Sequence, residues 1–331
     1  MKSTHQSGVG RFSRLVVIAG AGLLLVLLLA MSAAVSLATV DEPIPSYYSQ
    51  LRYNLTSPGT YATAIGGYAN PGFYGMLPRS ETIFSWSDED ALKNWGLFLG
   101  GPHIGFGVVR SRIPLGDGAV AGVNDYRFAL SGGNKNISTG VAFGWSGGDD
   151  GLVGRSQLIQ LGYAQRFGRY VSLGLVGNFA TQKDYRSGLA DLAVRPLGDR
   201  LLTVFADYEF ATGMSAADAP WSVGAMLDVG PGLEITGRYF ENESFAVSVG
   251  YNFNSLGLWG SPRFDDNQDH AETVYQVRAG FPKPNILHDV ITEDNSYLSM
   301  KLKGTVIYRG YKYFDKNRHR FSEIIYDLEH A

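Results

Sequence analysis

From about Ser80 to Phe281 the chain places apolar residues at every second position. Leu202, Val204, Ala206, Tyr208 and Phe210 alternate with Thr203, Phe205, Asp207 and Glu209. Phe245, Val247, Val249, Tyr251 and Phe253 alternate with Ser244, Ala246, Ser248, Gly250 and Asn252. The same period runs through Ile137 to Trp145, Val171 to Phe179 and Trp221 to Val229. Successive side chains of a strand point to opposite faces, so each segment has one apolar face and one small or polar face. The segments run to about 9–12 residues, the length of a tilted strand that crosses hydrocarbon, whereas soluble strands average nearer 5–6. The second face is Gly, Ala and Ser with scattered Asp, Glu and Arg, as expected inside a closed barrel. The pattern predicts an all-β fold, a transmembrane up-and-down antiparallel barrel of roughly fourteen strands over residues 80–281. A large soluble sandwich or a lipocalin-like barrel is the competing reading.

Turn residues separate the strands. Arg166–Arg169, Gly198–Arg200 and Gly230–Gly232 are short and read as periplasmic hairpins. Leu115–Gly122, Gln182–Ser187, Gly213–Pro220 and Asp265–His270 are longer and read as extracellular loops. Trp86, Trp95, Trp145, Tyr163, Tyr170, Trp221, Tyr239 and Trp259 lie near segment ends, where an interfacial girdle would place them.

The first residues differ from this pattern. Lys2, Arg11 and Arg14 precede an uncharged stretch from Leu15 to Val40, and Ser36-Leu37-Ala38 has the small-x-small form of a signal peptidase site. Residues 1–38 therefore read as a secretory signal, with an uncleaved anchor as the alternative. Either one sends the rest of the chain out of the cytoplasm, and the expected location is the bacterial outer membrane. Residues 39–79 follow as a periplasmic or lumenal hatch segment. Its stretch Asn54 to Met76 is broken by Gly and Pro and cannot itself span lipid.

Composition narrows the chemistry. The 331 residues include no Cys, which excludes disulfides, thiolate metal sites and a Cys nucleophile. A mean hydropathy of -0.06 with 13% aromatic residues excludes a disordered chain. A formal charge of -3 offers no basic excess for nucleic acid.

After Phe281 the alternation stops at Pro282-Lys283-Pro284. Residues 282–295 read as a linker, and residues 296–331 as a short α/β C-terminal extension. It has a strand over Ser296 to Tyr308 and an amphipathic helix over Phe314 to Ala331, whose Phe321, Ile324, Ile325 and Leu328 share one face. One strand and one such helix cannot bury each other, so the helix docks on something else or opens a longer domain.

The tail Leu298-Ser299-Met300-Lys301-Leu302-Lys303-Gly304-Thr305-Val306 and the helix led by Phe321 resemble the opening of the protease domain in the signal peptide peptidase A (protease IV) family. Gly66-Gly67-Tyr68-Ala69-Asn70-Pro71, Trp95 to Gly100, Gly105 to Val109, Val141 to Asp149, Ser172 to Asn178 and Gly237 to Glu241 resemble the barrel region before that protease in some bacterial members. Such barrels are similar to the fourteen-stranded FadL type, which has an inward N-terminal hatch. The resemblance implies a Ser nucleophile and a Lys base downstream of this chain, so this chain would be the non-catalytic front part, with 296–331 the truncated start of the protease domain.

No constellation in the chain carries catalysis by itself, and catalytic, cofactor-binding and metal-binding residues are all expected to be none. Gly144-Trp145-Ser146-Gly147-Gly148 has the Gly-x-Ser-x-Gly form, but no helix follows, so Ser146 reads as a hairpin residue. His103, His270, His288, His319 and His330 lack partners at ligand spacing, and Asp265–Asp269 lacks the distal Glu of a calcium loop. Lys301, Lys303, Lys312 and Lys316 have no Ser partner. The lumenal ionisable set is sparse: Arg127, Asp191, Arg195, Asp207, Glu209, Asp228, Glu234, Arg238, Glu272 and Arg278. A sparse set implies a narrow or plugged lumen. Two functions remain: a module that embeds or scaffolds a signal peptide peptidase A-like protease, with outer-membrane lipid and the protease domain as partners, or a stand-alone FadL-like channel for small or apolar solutes. A free-standing enzyme is disfavoured because no nucleophile–base pair is visible.

Overall fold

A computed structural model of the chain describes residues 42–280, apart from residues 58, 61–62, 79, 90–91, 117–118, 230–231 and 254–255. The signal expected at 1–38, the linker expected at 282–295 and the protease-like extension expected at 296–331 lie outside the described residues.

Fourteen strands pair antiparallel, each with its neighbours in sequence, and the ring closes. They are β1 (Glu81–Ser87), β2 (Trp95–Gly101), β3 (Ile104–Gly116), β4 (Ala119–Gly133), β5 (Ile137–Gly148), β6 (Leu158–Phe167) and β7 (Val171–Ala180). There follow β8 (Arg186–Val194), β9 (Leu202–Ala211), β10 (Trp221–Val229), β11 (Leu233–Phe240), β12 (Phe245–Phe253), β13 (Leu256–Phe264) and β14 (His270–Gly280). Closure runs from Glu81↔Gly280 to Ser87↔Val274. A closed ring leaves no strand edge with unpaired backbone groups, which is what a sheet in lipid requires.

Up-and-down order puts successive connections at opposite rims. One rim carries 88–94, 149–157, 181–185, 212–220, 241–244 and 265–269. The other carries 102–103, 134–136, 168–170 and 195–201, the facing ends of β10 and β11 and of β12 and β13, and the start of β1 and the end of β14. The short turn at 168–170 is made possible by Gly168 at φ 61°, in the left-handed region that side chains disfavour. The segment Leu115–Gly122 is not a long loop, as its Gly content implies. β3 and β4 continue their pairing through Pro114↔Val120 and Gly116↔Ala119, with a bulge between Pro114 and Gly116. A bulge takes up the irregular residues there without ending the ladder.

The alternation sorts the faces as expected. Val204, Val223, Leu227, Val249 and Phe253 are exposed on the outside, while Thr203, Phe205, Ser222, Met226 and Ala246 are buried on the inside. Aromatic rings collect outside at the long-connection rim, where Trp86 stacks with Phe84 and Tyr275, and Trp145 with Tyr126 and Phe143. Trp259 does not belong to this girdle. It falls in the inward register of β13 with Ser261, and its Nε1–H donates to Glu234 at 3.0 Å. Nearness to a segment end suggested the girdle, but strand parity turns the ring into the lumen.

The inside is filled by the chain's own residues 42–80. This hatch contains α1 (Tyr47–Leu51), α2 (Ala64–Ala69) and a 3₁₀ turn (Pro71–Met76). α2 begins where the Thr63 hydroxyl accepts from the Gly66 N–H at 3.0 Å, and the turn begins where the Asn70 side chain accepts from the Gly72 N–H at 3.0 Å, with Pro71 at its first position. Phe73, Tyr74, Met76 and Leu77 pack on Ala129, Ala142 and Ala164 of the wall. Tyr53, Ile65 and Tyr68 pack on Ile83, Phe98, Val109 and Val274. The small inward face of the strands is shaped to this hatch. An added Cβ at Gly140 would lie 2.4 Å from the Pro71 carbonyl oxygen, and one at Gly105 would strike the Tyr74 ring.

Gly140→Ala is therefore expected to cost about 1–3 kcal/mol, the usual range for overpacking. Chemical unfolding would read this as a lower midpoint, with faster proteolysis of the hatch. Gly237→Ala, with no atom within 4 Å of its added methyl, should leave both unchanged.

Candidate functional site

The candidate site is the lumen where wall and hatch meet. A segment with so little regular structure brings many backbone carbonyls and amides into a dry interior, and each needs a partner. Five arginines of the barrel supply six of these partnerships. Arg155 donates to the Glu42 carbonyl at 2.7 Å, Arg263 to Arg52 at 3.2 Å, Arg238 to Asn54 at 2.9 Å and Arg127 to Tyr68 at 3.0 Å. Arg195 donates to the carbonyls of Gly59 and Thr60. Amide side chains add to the set: Gln160 donates to the Ala69 carbonyl at 3.1 Å and Gln276 to Tyr53 at 3.2 Å.

Wall carboxylates hold the hatch from its donor side. The Gly59 N–H donates to Asp191 at 2.7 Å, and the Ala64 N–H to Glu81 at 2.6 Å. The Tyr47 hydroxyl donates to Asp207, and the Tyr48 hydroxyl to Glu241 at 2.9 Å. Burial pushes the Tyr68 hydroxyl up to about 12, so it stays a donor, here to the Asp125 carbonyl at 3.2 Å. The hatch thus enters at the long-connection rim, where the Glu42 N–H donates to the Val153 carbonyl at 2.9 Å. It reaches β1 at the opposite rim.

Ion pairs run through the clasp. Arg238 pairs with Asp207, both side chains fully buried, while Ser222 donates to Asp207 at 2.9 Å. Arg278 pairs with Glu81 at 2.7 Å, Arg200 with Asp228 at 3.0 Å, and Arg155 with Glu42 at 2.8 Å. Arg52 and Arg263 share Glu272, at 2.6 and 3.6 Å. A buried ion pair is strong when its remaining donors and acceptors are satisfied, and the hatch backbone supplies such partners to Arg238, Arg155, Arg263 and Glu81.

All ten ionisable residues assigned to the lumen from sequence are buried: Arg127, Asp191, Arg195, Asp207, Glu209, Asp228, Glu234, Arg238, Glu272 and Arg278. The structure adds Arg155, Arg200 and Arg263. Arg263 was discoverable from strand parity, two residues beyond Ser261; Arg155 and Arg200 sit in connections, where no periodicity marks them. Ser146 lies within β5 rather than in a turn, and its hydroxyl donates to Asp125 at 2.6 Å. Asp125 is itself held by Arg155 at 3.2 Å, so this serine is a donor in an ion-paired cluster. Asp265 in the β13–β14 connection accepts from the Asn267 and Asp269 N–H groups, closing the acidic run on itself. Among the described residues no group of three or more His, Asp or Glu stands in a metal-holding arrangement.

By its architecture the described chain is a closed fourteen-stranded antiparallel barrel plugged by its own N-terminal segment. No protein-family profile matches it, and no curated protein matches it. Among solved structures it is similar to variants of the porin of Rhodopseudomonas blastica. A triple mutant of that porin is 9% identical, over 61% of this chain and 98% of the porin, with a TM-score of 0.37. A fivefold mutant is 10% identical over the same shares, with a TM-score of 0.37. A likeness of this size carries no argument, and the architecture rests on the strand pairing itself.

Arg238→Met should cost about 3–5 kcal/mol, because it leaves Asp207 buried without its cation. The double change Arg238→Met with Asp207→Leu should recover part of that loss in equilibrium unfolding. A double variant no more stable than Arg238→Met would show that the pair does not hold the hatch.

Proposed function

We propose that this chain is a bacterial outer-membrane barrel held shut by its own hatch, which serves as a membrane anchor and scaffold for a signal peptide peptidase A-like protease segment. The observation that supports closure is the arginine clasp on the hatch carbonyls, joined by the close approach of Gly140 and Gly105 to the hatch. A lumen used as an open aqueous pore would keep its charges facing water. These charges are spent on the hatch and on each other. The apolar outer faces and the ring of aromatics at one rim support the membrane location. Longer connections mark the extracellular rim. Gly280 then ends β14 at the periplasmic rim, so a protease continuing from the tail would stand in the periplasm beside the membrane.

The second reading is a conduit for small solutes that opens by movement of the hatch. A cavity left between the hatch and β11–β14 favours it.

Conductance separates the two. Full-length protein in a planar bilayer should pass no steady current, and deletion of residues 42–78 should open a stable pore. Porin-like conductance by the intact chain would replace the anchor by the channel.

The membrane location has its own test in the outer face. Val249→Arg, at the middle of β12, should cost about 2–4 kcal/mol in reversible unfolding from vesicles, and Phe253→Arg, at its end, about 0–1 kcal/mol. Equal costs at both depths would contradict a barrel spanning lipid.

A further inference from the structure

The hatch meets the wall in two different ways. Against β4, β5 and β6 the contact is dry and tight: Gly72 lies on the Ala164 backbone, and Phe73 and Tyr74 are buried on Ala129, Ala142 and Ala164. Across the lumen, between hatch residues 52–56 and the strands β11–β14, a cavity of about 40 Å³ remains. That is more room than a single water needs.

Its lining is polar in a particular way. The charged groups are already paired: Arg52 with Glu272, Arg278 with Glu81, and Glu234 with the Trp259 N–H and Arg200. The neutral groups are not all used. Tyr53 and Asn54 are each 4% exposed, and the Tyr53 hydroxyl and the Asn54 side-chain nitrogen have no partner among the described residues. On the opposite wall the Ser261 hydroxyl donates to Ser248 at 2.8 Å, which leaves the Ser248 hydroxyl proton free to donate. Burial drives the Tyr53 hydroxyl above the usual tyrosine range, so it remains a donor. Two buried donors that face a polar cavity call for an acceptor between them.

We propose that this cavity is a binding site for small uncharged hydrogen-bond acceptors, occupied by water in the resting barrel and open to neutral solutes of a few heavy atoms. The Tyr53 hydroxyl and the Asn54 amide donate to the occupant, and Ser248 and Ser261 complete its contacts. Ions are excluded because every charge at the cavity is matched by a neighbour, so an incoming ion would lose its hydration without gaining a free counter-charge. The site is internal to the barrel and does not depend on what the barrel anchors.

The absence of cysteine from the chain makes a clean test possible. Single variants Ser248→Cys and Ser261→Cys place a thiol at the cavity, and Ala142→Cys and Ala164→Cys place one under the dry face of the hatch. Folded full-length protein is treated with neutral methyl methanethiosulfonate or with the anionic sulfonatoethyl reagent of the same reactive group. The neutral reagent should modify the cavity thiols roughly tenfold faster than the dry-face thiols, as expected when only one of the two faces is accessible without opening the fold. The sulfonate should leave all four untouched. Equal rates at the four positions, no reaction at the cavity, or reaction there with the sulfonate would each overturn the proposal. A density map of the unaltered chain that resolves water supplies an independent reading. Water bonded to the Tyr53 hydroxyl and the Asn54 amide is expected, and an empty cavity would contradict the site.

Discussion

The structure depends on how an irregular peptide is kept in the interior of a barrel. Strands satisfy their own backbone groups through the ladder, but among its described residues the hatch has only two short helices and one 3₁₀ turn to do so. Arg127, Arg155, Arg195, Arg238 and Arg263 meet this need by donating to hatch carbonyls from five places around the wall. A guanidinium suits the task because it has several donors in a planar fork, so that it can bind a carbonyl and a carboxylate at once. Arg238 shows the economy of this: it reaches the Asn54 carbonyl, Ser222 and Asp207 together. Wall carboxylates in turn accept from the hatch: Asp191 from the Gly59 N–H, Glu81 from the Ala64 N–H and Asp207 from the Tyr47 hydroxyl. Wall and hatch therefore form one network.

Much of the wall was legible in the sequence, because a strand's period of two is a strong signal. Leu202 to Phe210 and Phe245 to Phe253 each sort into an outer and an inner set without ambiguity, and the ionisable residues on the inner faces of the strands follow from parity. Trp259 lies near a segment end, where a girdle residue is expected, but Leu256 and Leu258 fix the outward register of β13 and turn its ring inward. The three glycines of Leu115–Gly122 have the look of turn chemistry, whereas a bulge after Pro114 lets the ladder run on to Gly116↔Ala119.

The site was less legible than the wall. The sequence shows that Arg238 and Asp207 face inward but not that they meet, since that depends on the registers Ser222↔Asp207 and Gly224↔Arg238 on either side of β10. Nor does it show why Gly140 and Gly105 are small. The reason lies in Pro71 and Tyr74, far away in the chain and brought close only by closure of the barrel. The hatch itself has no periodicity to read. Its structure is imposed by partners that are remote in sequence.

Hydrogen exchange of the hatch amides tests the account most directly. If the clasp holds the hatch as part of the barrel, the Gly59 and Ala64 amides, bound to Asp191 and Glu81, should exchange as slowly as ladder amides in the middle of β9 or β12. Exchange of those two amides at the rate of an unprotected peptide, while the strands remain protected, would contradict it.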